Sequence, residues 1–467
     1  MIGWPLIISL AIAGVAAVSY FKTRTWSHPA FIFAIFWFVM TALPIIGVPE
    51  LPVSTSAMLL ILGLTVAFAL PIFVFDWKAG LAVAYTRKGN ASPYASQSLL
   101  LLVCALPLVW LVLMGINLTK QGFDLSRLLA NPLEIGCLYL GGRYSGTLVP
   151  TAYAQAATVL NYVAVALAGI ALGSRRGVIL RLFVLLITFI PSVLTVLVMA
   201  DKGTIFLSAA FFYGGVIVAR LAVGNTAILN WTTAGAAVLA VGIVVPVIML
   251  AMLNRGGGSC SDMQRTLEIV SILGGEASPI DDSVAMRTSG MQFALRSYAF
   301  GHLFAFSDWA EHYFSNLGSQ PYTDPPSMTW GYWTFMAIGK MVYPSYELPP
   351  GYYSEYILYK DVLQSNIYTM FRGMIYDFGV LGSLVFMAAV GFIASFVYKR
   401  LLDCDIAPIS QAAYILLMGC IYSSYIFSPF TWNSVYAAPV GVAAILALLG
   451  WRERKRHGSE NPVLVTK

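Results

Sequence analysis

The chain has 467 residues, of which 59% are hydrophobic and 10% charged. A soluble domain carries about 25% charged residues, so this composition excludes a water-solvated globule. The formal charge of +6 does not point to nucleic acid, because the basic residues sit at the ends of apolar blocks instead of forming a patch.

The apolar blocks are about 17–25 residues long, the length that crosses a hydrocarbon core as a helix. Eleven spans are predicted, near 5–21, 29–48, 57–75, 98–115, 151–172, 178–199, 203–220, 232–253, 379–398, 410–428 and 434–451. The first block, Pro5 to Phe21, lacks a basic leader and a small-residue cleavage site, and reads as a retained span. The expected fold class is an all-α polytopic membrane protein. Residues 1–253 form an eight-span region with a loop at 116–150. Residues 254–372 form one large segment, 373–451 a three-span region and 452–467 a tail.

Orientation follows from Lys and Arg near span ends. One set of turns holds Lys22, Arg24, Lys78, Arg87, Lys88, Arg175, Arg176, Arg181, Arg220, Lys399, Arg400, Arg452, Arg454, Lys455 and Arg456. The short turns opposite, at 49–56, 200–202 and 429–433, hold only Lys202. The first set is expected in the cytoplasm with the C-terminal tail, and the N-terminus and both long segments outside. The tail Arg452-Glu453-Arg454-Lys455-Arg456 reads as a stop-transfer anchor, and Asn117-Leu118-Thr119 as a chance sequon. Cys104 and Cys420 fall in spans and Cys404 in a cytoplasmic loop. Cys137 and Cys260 fall in outward loops, where free thiols are expected and an oxidising compartment leaves a bridge open.

The span interiors hold almost no ionisable residue, unlike those of an ion-coupled transporter. Chemistry is therefore expected at the outer surface. The large outward segment is too rich in apolar and aromatic residues for disorder. Residues 263–273 read as an interfacial helix, with Arg265 and Glu268 three apart. Residues 291–317 read as a helix with Met291, Leu295 and Tyr298 on an apolar face. Residues 330–343 read as a short interfacial or re-entrant piece.

Four constellations stand out. Asp201-Lys202-Gly203 reads either as a solvated turn or as a charge pair whose glycine admits a ligand. Asp308 and His312, four apart on one helix face, read either as a surface pair or as a base held by an orienting carboxylate. With His302 six residues back on another face, they do not read as a metal site. Arg372 shares a helix face with Tyr376, and Asp377 points elsewhere. It is either a snorkelling anchor or a functional cation. Arg143, Arg287 and Arg296 suit either lipid headgroups or a membrane-borne diphosphate, which arginine binds by a bidentate fork.

The stretch Asn366-Ile-Tyr-Thr-Met-Phe-Arg-Gly-Met-Ile-Tyr-Asp-Phe-Gly379, followed by Leu381-Gly382-Ser383, resembles the Wzy-type O-antigen polymerases, or oligosaccharide repeat unit polymerases. So does the plan of many spans with two large outward loops. Ala200-Asp201-Lys202-Gly203-Thr204 is similar to a turn in related polymerases and ligases, with Lys202 where arginine is usual. The Arg-x10-Gly pattern of some members is absent, since no glycine follows Arg127, Arg143, Arg255, Arg265, Arg287 or Arg296 at that spacing.

The resemblance implies a GT-C-like fold in the bacterial inner membrane and a glycosyltransferase working at its periplasmic face. An acceptor hydroxyl would attack the anomeric carbon of a chain carried on undecaprenyl diphosphate. It implies lipid-linked donor and acceptor oligosaccharides and membrane lipids as partners, leaves a chain-length regulator open, and calls for no nucleic acid, cofactor or metal. On this reading Arg372, with Lys202, Arg143, Arg296 and Arg287, meets the diphosphate. Asp308 with His312, and then Asp377, are the candidate bases, and Asn366, Tyr368 and Tyr376 bind sugar. An O-antigen ligase shares the plan, and a flippase of lipid-linked sugar is the alternative outside enzymes. Reporter fusions at Lys88 and Ser283 are expected to read cytoplasm and periplasm respectively; the reverse at either site would sink the orientation.

Overall fold

A computed structural model describes residues 3–88, 94, 96–130, 135–136, 138–139, 142, 147–149, 151–173, 177–199, 201–226, 284–315, 322, 324–325, 327–342, 353, 355–359, 362–403 and 407–460. Its helices are α1 (Gly3–Thr23), α2 (Pro29–Gly47), α3 (Thr55–Ala69), α4 (Trp77–Thr86), α5 (Gln97–Lys120), α6 (Leu125–Ala130), α7 (Ala152–Gly173), α8 (Val178–Met199) and α9 (Lys202–Ala222). There follow α10 (Val284–Ser315), α11 (Met336–Val342), α12 (Thr369–Leu402), α13 (Pro408–Ser423) and α14 (Asn433–Glu460). One antiparallel hairpin, β1 (Ile357–Tyr359) and β2 (Leu363–Ser365), pairs Ile357 with Ser365 and Tyr359 with Leu363.

Among the described residues, nine helices are long and apolar enough to cross a membrane, and α13 is a shorter apolar helix. By helix length and hydropathy this is a multi-pass membrane protein. Ten of the expected spans coincide with these helices. The span at 232–253, the helix at 263–273, Cys137, Cys260 and Cys404 lie outside the described residues. Local chemistry sets the helix starts. The Asp76 carboxylate accepts from the Lys78 and Ala79 amides, and Ser96 Oγ from the Leu99 amide.

Among the described residues, the basic turns of Arg87 and Lys399 meet at one end of the bundle. There the Arg87 guanidinium donates to the Leu402 carbonyl at 2.5 Å, and Lys399 pairs with Asp403. In the same region Tyr398 Oη lies 2.7 Å from Ser27 Oγ. At the opposite end the Ser54 amide donates to Ser307 Oγ, and the exposed Arg296 meets Glu50 at 3.4 Å. Both contacts pin α10 to the turn between α2 and α3.

The helix expected over 291–317 is present as α10. Leu295 and Tyr298 are exposed, and the helix is buried instead on every side from Gly301 to Ala310. The reason is that α10 does not lie on a flat surface. Its second half is enclosed by α2, α3, α12 and β2.

Helix α12 is broken at Gly379, whose φ of 67° and ψ of 178° belong to a region that is nearly exclusive to glycine. The expected span starts there, and residues 369–378 form a separate helical piece above it. The break frees carbonyls in an apolar setting, and several of them find donors nearby. The Thr329 and Trp330 amides donate to the Tyr376 and Asp377 carbonyls at 3.1 and 3.2 Å. Ser383 Oγ donates to the Met374 and Gly379 carbonyls. Gly379→Ala is expected to destabilise the protein by about 1–3 kcal/mol, read as a lower melting temperature in detergent. A wild-type midpoint would show that glycine is not needed at the break.

Candidate functional site

The upper piece of α12 carries Arg372 into the interior at 1% exposure. A guanidinium buried this deeply must be both neutralised and hydrogen-bonded. Arg372 Nη2 donates to Glu355 Oε1 at 3.0 Å, and Nε donates to Tyr376 Oη at 2.9 Å. Nη1 is buried with no partner among the described residues. Rings surround the cation: Cζ lies 4.0 Å from the Tyr353 centroid, 4.3 Å from Tyr368, 5.1 Å from Tyr322, 5.3 Å from Tyr376 and 5.8 Å from Trp309.

Tyr376 Oη extends the network. It accepts from Trp309 Nε1 at 2.9 Å and donates a short hydrogen bond to Asp324. The other oxygen of Asp324 lies 3.4 Å from His312 Nε2. A continuous chain therefore runs Arg372–Tyr376–Asp324–His312. Its inner end is sealed, and at its outer end the side chains of His312 and Asp324 are 24% and 30% exposed. Beside it, Tyr322 Oη donates to Asp308 Oδ2 at 2.6 Å. Burial, with Tyr368 and Asp308 adding to it, pushes the Tyr322 phenol far up, so it stays a donor. Burial does the same for Tyr353.

Several elements hold this cluster. The Gln364 amide of β2 donates to Ser297 Oγ of α10 at 3.0 Å, and the Met370 amide to the Ser424 carbonyl after α13 at 2.9 Å. Thr369 opens α12 with a φ of 64°, a strained start for a non-glycine residue. Its Oγ1 accepts from the Phe371 amide. Tyr368 Oη donates to the Glu355 carbonyl at 3.0 Å, and Asn366 Nδ2 to the Tyr353 carbonyl at 3.2 Å.

Of the sequence-derived candidates, Asp308, His312, Asn366, Tyr368, Arg372 and Tyr376 come together here. Asp377 is fully buried and is bonded to the neighbouring 329–334 segment, not to Arg372. Its carboxylate accepts from Thr329 Oγ1 and from the Trp333 and Thr334 amides at 2.6, 3.1 and 2.6 Å, which fastens the 329–335 turn to the broken helix. Arg296 stands apart in its exposed pair with Glu50. Lys202 begins α9, where the Asp201 carboxylate caps the helix through the Gly203 amide and Thr204 Oγ1. The Lys202 and Arg287 side chains and all of Arg143 lie outside the described residues. His302 is fully buried and donates from Nε2 to the Met40 carbonyl at 2.9 Å, and burial lowers its pKa to about 4.

Sequence reasoning missed Asp324, Glu355, Trp309, Tyr322 and Tyr353. The one sequence signal they carry is the density of tyrosine and carboxylate in the large segment. Among the described residues no group of three His, Cys, Asp or Glu could hold a metal ion. No family model, curated protein or solved structure matches this chain.

The buried ion pair allows a test of what Arg372 does for the fold. Arg372→Met, which takes one charge from the pair, is expected to cost about 3–5 kcal/mol. Combining it with Glu355→Gln should recover most of that loss in a detergent melting assay. A double variant as unstable as the single would show that the pair is not what holds Arg372 in place.

Proposed function

We propose that this protein is a polysaccharide polymerase of the bacterial inner membrane, a glycosyltransferase that joins oligosaccharide repeat units carried on undecaprenyl diphosphate. The observation that carries the reading is the Arg372–Tyr376–Asp324–His312 chain, with its sealed cationic end and its accessible acid–base end. The resemblance of the 366–379 stretch to the polymerases bears on the same residues, since Arg372 and Tyr376 lie within it. On this reading the eleven spans include 232–253, the fold is GT-C-like, and the end bearing the cluster faces the periplasm with the N-terminus. The basic end and the C-terminal tail then face the cytoplasm.

The chemistry follows from the groups. With Nε2–H turned to Asp324, the other ring nitrogen of His312 can take the proton from an acceptor hydroxyl. The acceptor oxygen bonds to the anomeric carbon of the donor as the bond from that carbon to the phosphate oxygen breaks. The electron pair leaves on the lipid diphosphate. Asp324 holds the imidazole and stabilises its protonated form. Asp308 acts on the same space through Tyr322. The Arg372 Nη1 group, without a partner among the described residues, is left for the leaving group, and the charge of Arg372 is offset by Glu355. On this reading Arg143, Arg287 and Lys202 supply the remaining positive charge toward the diphosphate, and Arg296, paired with Glu50, is held apart from it. Asn366, Tyr368 and Tyr376 border the sugar. Membrane lipids surround the spans, and a chain-length regulator is a further partner of such an enzyme.

Deleting the gene in its host is expected to leave single repeat units on the final acceptor. Loss of all units would make the protein a ligase, and units trapped inside the cell a flippase. Complementation with His312→Ala should lower the polymerisation rate by about 10²–10⁴-fold, at normal protein level by blot. Normal polymer from that variant would remove His312 from the mechanism.

A further inference from the structure

The 328–335 turn is fastened to the broken helix on one side and open on the other. Trp330 is 80% exposed, and Met328 is exposed beside it. Trp330 also holds a φ of 50°, a conformation that a bulky side chain rarely adopts. Ordinary turns place glycine or asparagine there, and a strained residue persists only where its surroundings hold it. The backbone around it is committed inward. The Thr329 and Trp330 amides donate to α12, and the Phe335 amide donates to the Gly331 carbonyl at 2.8 Å. The indole is thereby presented outward. No charged residue occurs between Asp324 and Lys340, so the apolar surface here is not relieved by charge.

The position of the turn says what covers that surface. Below the break, Leu381 and Val385 of α12 are exposed, as the lipid face of a span is. Met328 sits at the junction, its Cε 3.1 Å from where a Cβ on Gly379 would lie. The turn also touches the 428–432 turn. Ser428 Oγ donates to the Thr334 carbonyl at 2.7 Å, and the Phe335 and Phe430 rings are 5.7 Å apart. That second turn ends in exposed Trp432, directly before α14, and exposed Trp4 begins α1 at the same end of the bundle. Exposed Trp26 follows the other end of α1, and exposed Trp451 lies far along α14. Trp432 and Trp451 are separated by about 29 Å at roughly 1.5 Å per helical residue, close to the roughly 30 Å of a hydrocarbon core. The tryptophans thus fall in two belts, as at the two faces of a bilayer. Trp330 belongs to the belt at the end that bears the cluster.

We propose that the 328–335 turn is a membrane anchor, with Trp330 and Met328 inserted into lipid where the acyl chains meet the headgroups. The anchor sets a depth for the cluster. The Trp330 amide is bonded to the Asp377 carbonyl, and Arg372 lies further along the same helical piece by about 7.5 Å at most. The headgroup layer on each face is roughly 5–7 Å thick, so the guanidinium is held at headgroup depth. The inference stands without the polymerase reading, because it concerns where the turn sits and not what reacts beside it.

The test is fluorescence quenching by brominated lipids, with the full-length protein in nanodiscs. The chain has 11 tryptophans, so the emission of Trp330 is taken as the difference between wild type and Trp330→Phe. Trp330→Tyr serves as a second reference, and at so exposed a position both variants are expected to melt with the wild type in detergent. Bromines near the headgroup end of the acyl chains are expected to quench the Trp330 emission by roughly twofold or more. Bromines near the chain ends, and iodide in the water, should quench it less. Quenching by iodide and by neither lipid would put the ring in water, where it could stack on a sugar, and would overturn the proposal. So would strongest quenching by the deep bromines, which places the turn inside the hydrocarbon, or an emission that no quencher reaches.

Discussion

A helix that breaks inside an apolar environment must return its freed carbonyls to hydrogen-bond donors, and the rest of the site depends on how this chain does so at Gly379. The positive φ there turns the upper ten residues of α12 out of line with the span below. The Tyr376 and Asp377 carbonyls so released capture the 329–330 backbone, and the Asp377 carboxylate captures the turn that follows. Water could have met these groups at the surface of a soluble protein. In a membrane the donors have to come from the chain itself. The loop is thereby drawn onto the helix.

The second constraint is the burial of Arg372. The free energy of desolvating a guanidinium is offset by an ion pair, a phenol and a surround of aromatic faces. Those partners come from several separate stretches of chain: Trp309 from α10, Tyr322 and Asp324 from the segment after it, Glu355 before the hairpin, and Tyr376 from α12 itself. An arginine that gathers groups from so many places fixes their relative positions. The result is a rigid inner end and a half-open outer end at His312. That division suits an acid–base group which must stay oriented while its substrate changes.

Two aspartates, Asp377 in the 372–377 stretch and Asp324 in contact with it, show how different the roles of similar groups become. Asp377 accepts three hydrogen bonds and is fully buried. It is a fastener, and the chemistry it would need for proton transfer is used up in holding the turn. Asp324 also accepts from fixed donors, but its second oxygen reaches a histidine that solvent can touch. Burial and saturation separate the two, and residue type does not.

The sequence by itself determined the properties that depend on local composition. Hydropathy marked the nine described helices long and apolar enough to cross a membrane and the shorter α13, because a span must satisfy its own backbone and therefore reads as one apolar block. The basic turns marked one end of the bundle, and among the described residues those of Arg87 and Lys399 meet there. The Arg372–Tyr376 contact was legible because both lie one helical turn apart. The same rule placed Asp308 with His312, yet His312 lies against Asp324, from a segment with no helical periodicity to read. Only the tertiary structure brought Asp324, Glu355, Tyr322 and Tyr353 to Arg372, and only it gave Asp377 its three donors in the 329–334 segment. Spacing along a chain predicts a contact when a single helix carries both partners. Where loops carry them, the pairing is decided by the need to neutralise a buried charge and to satisfy freed carbonyls, and those demands exist only once the chain has folded.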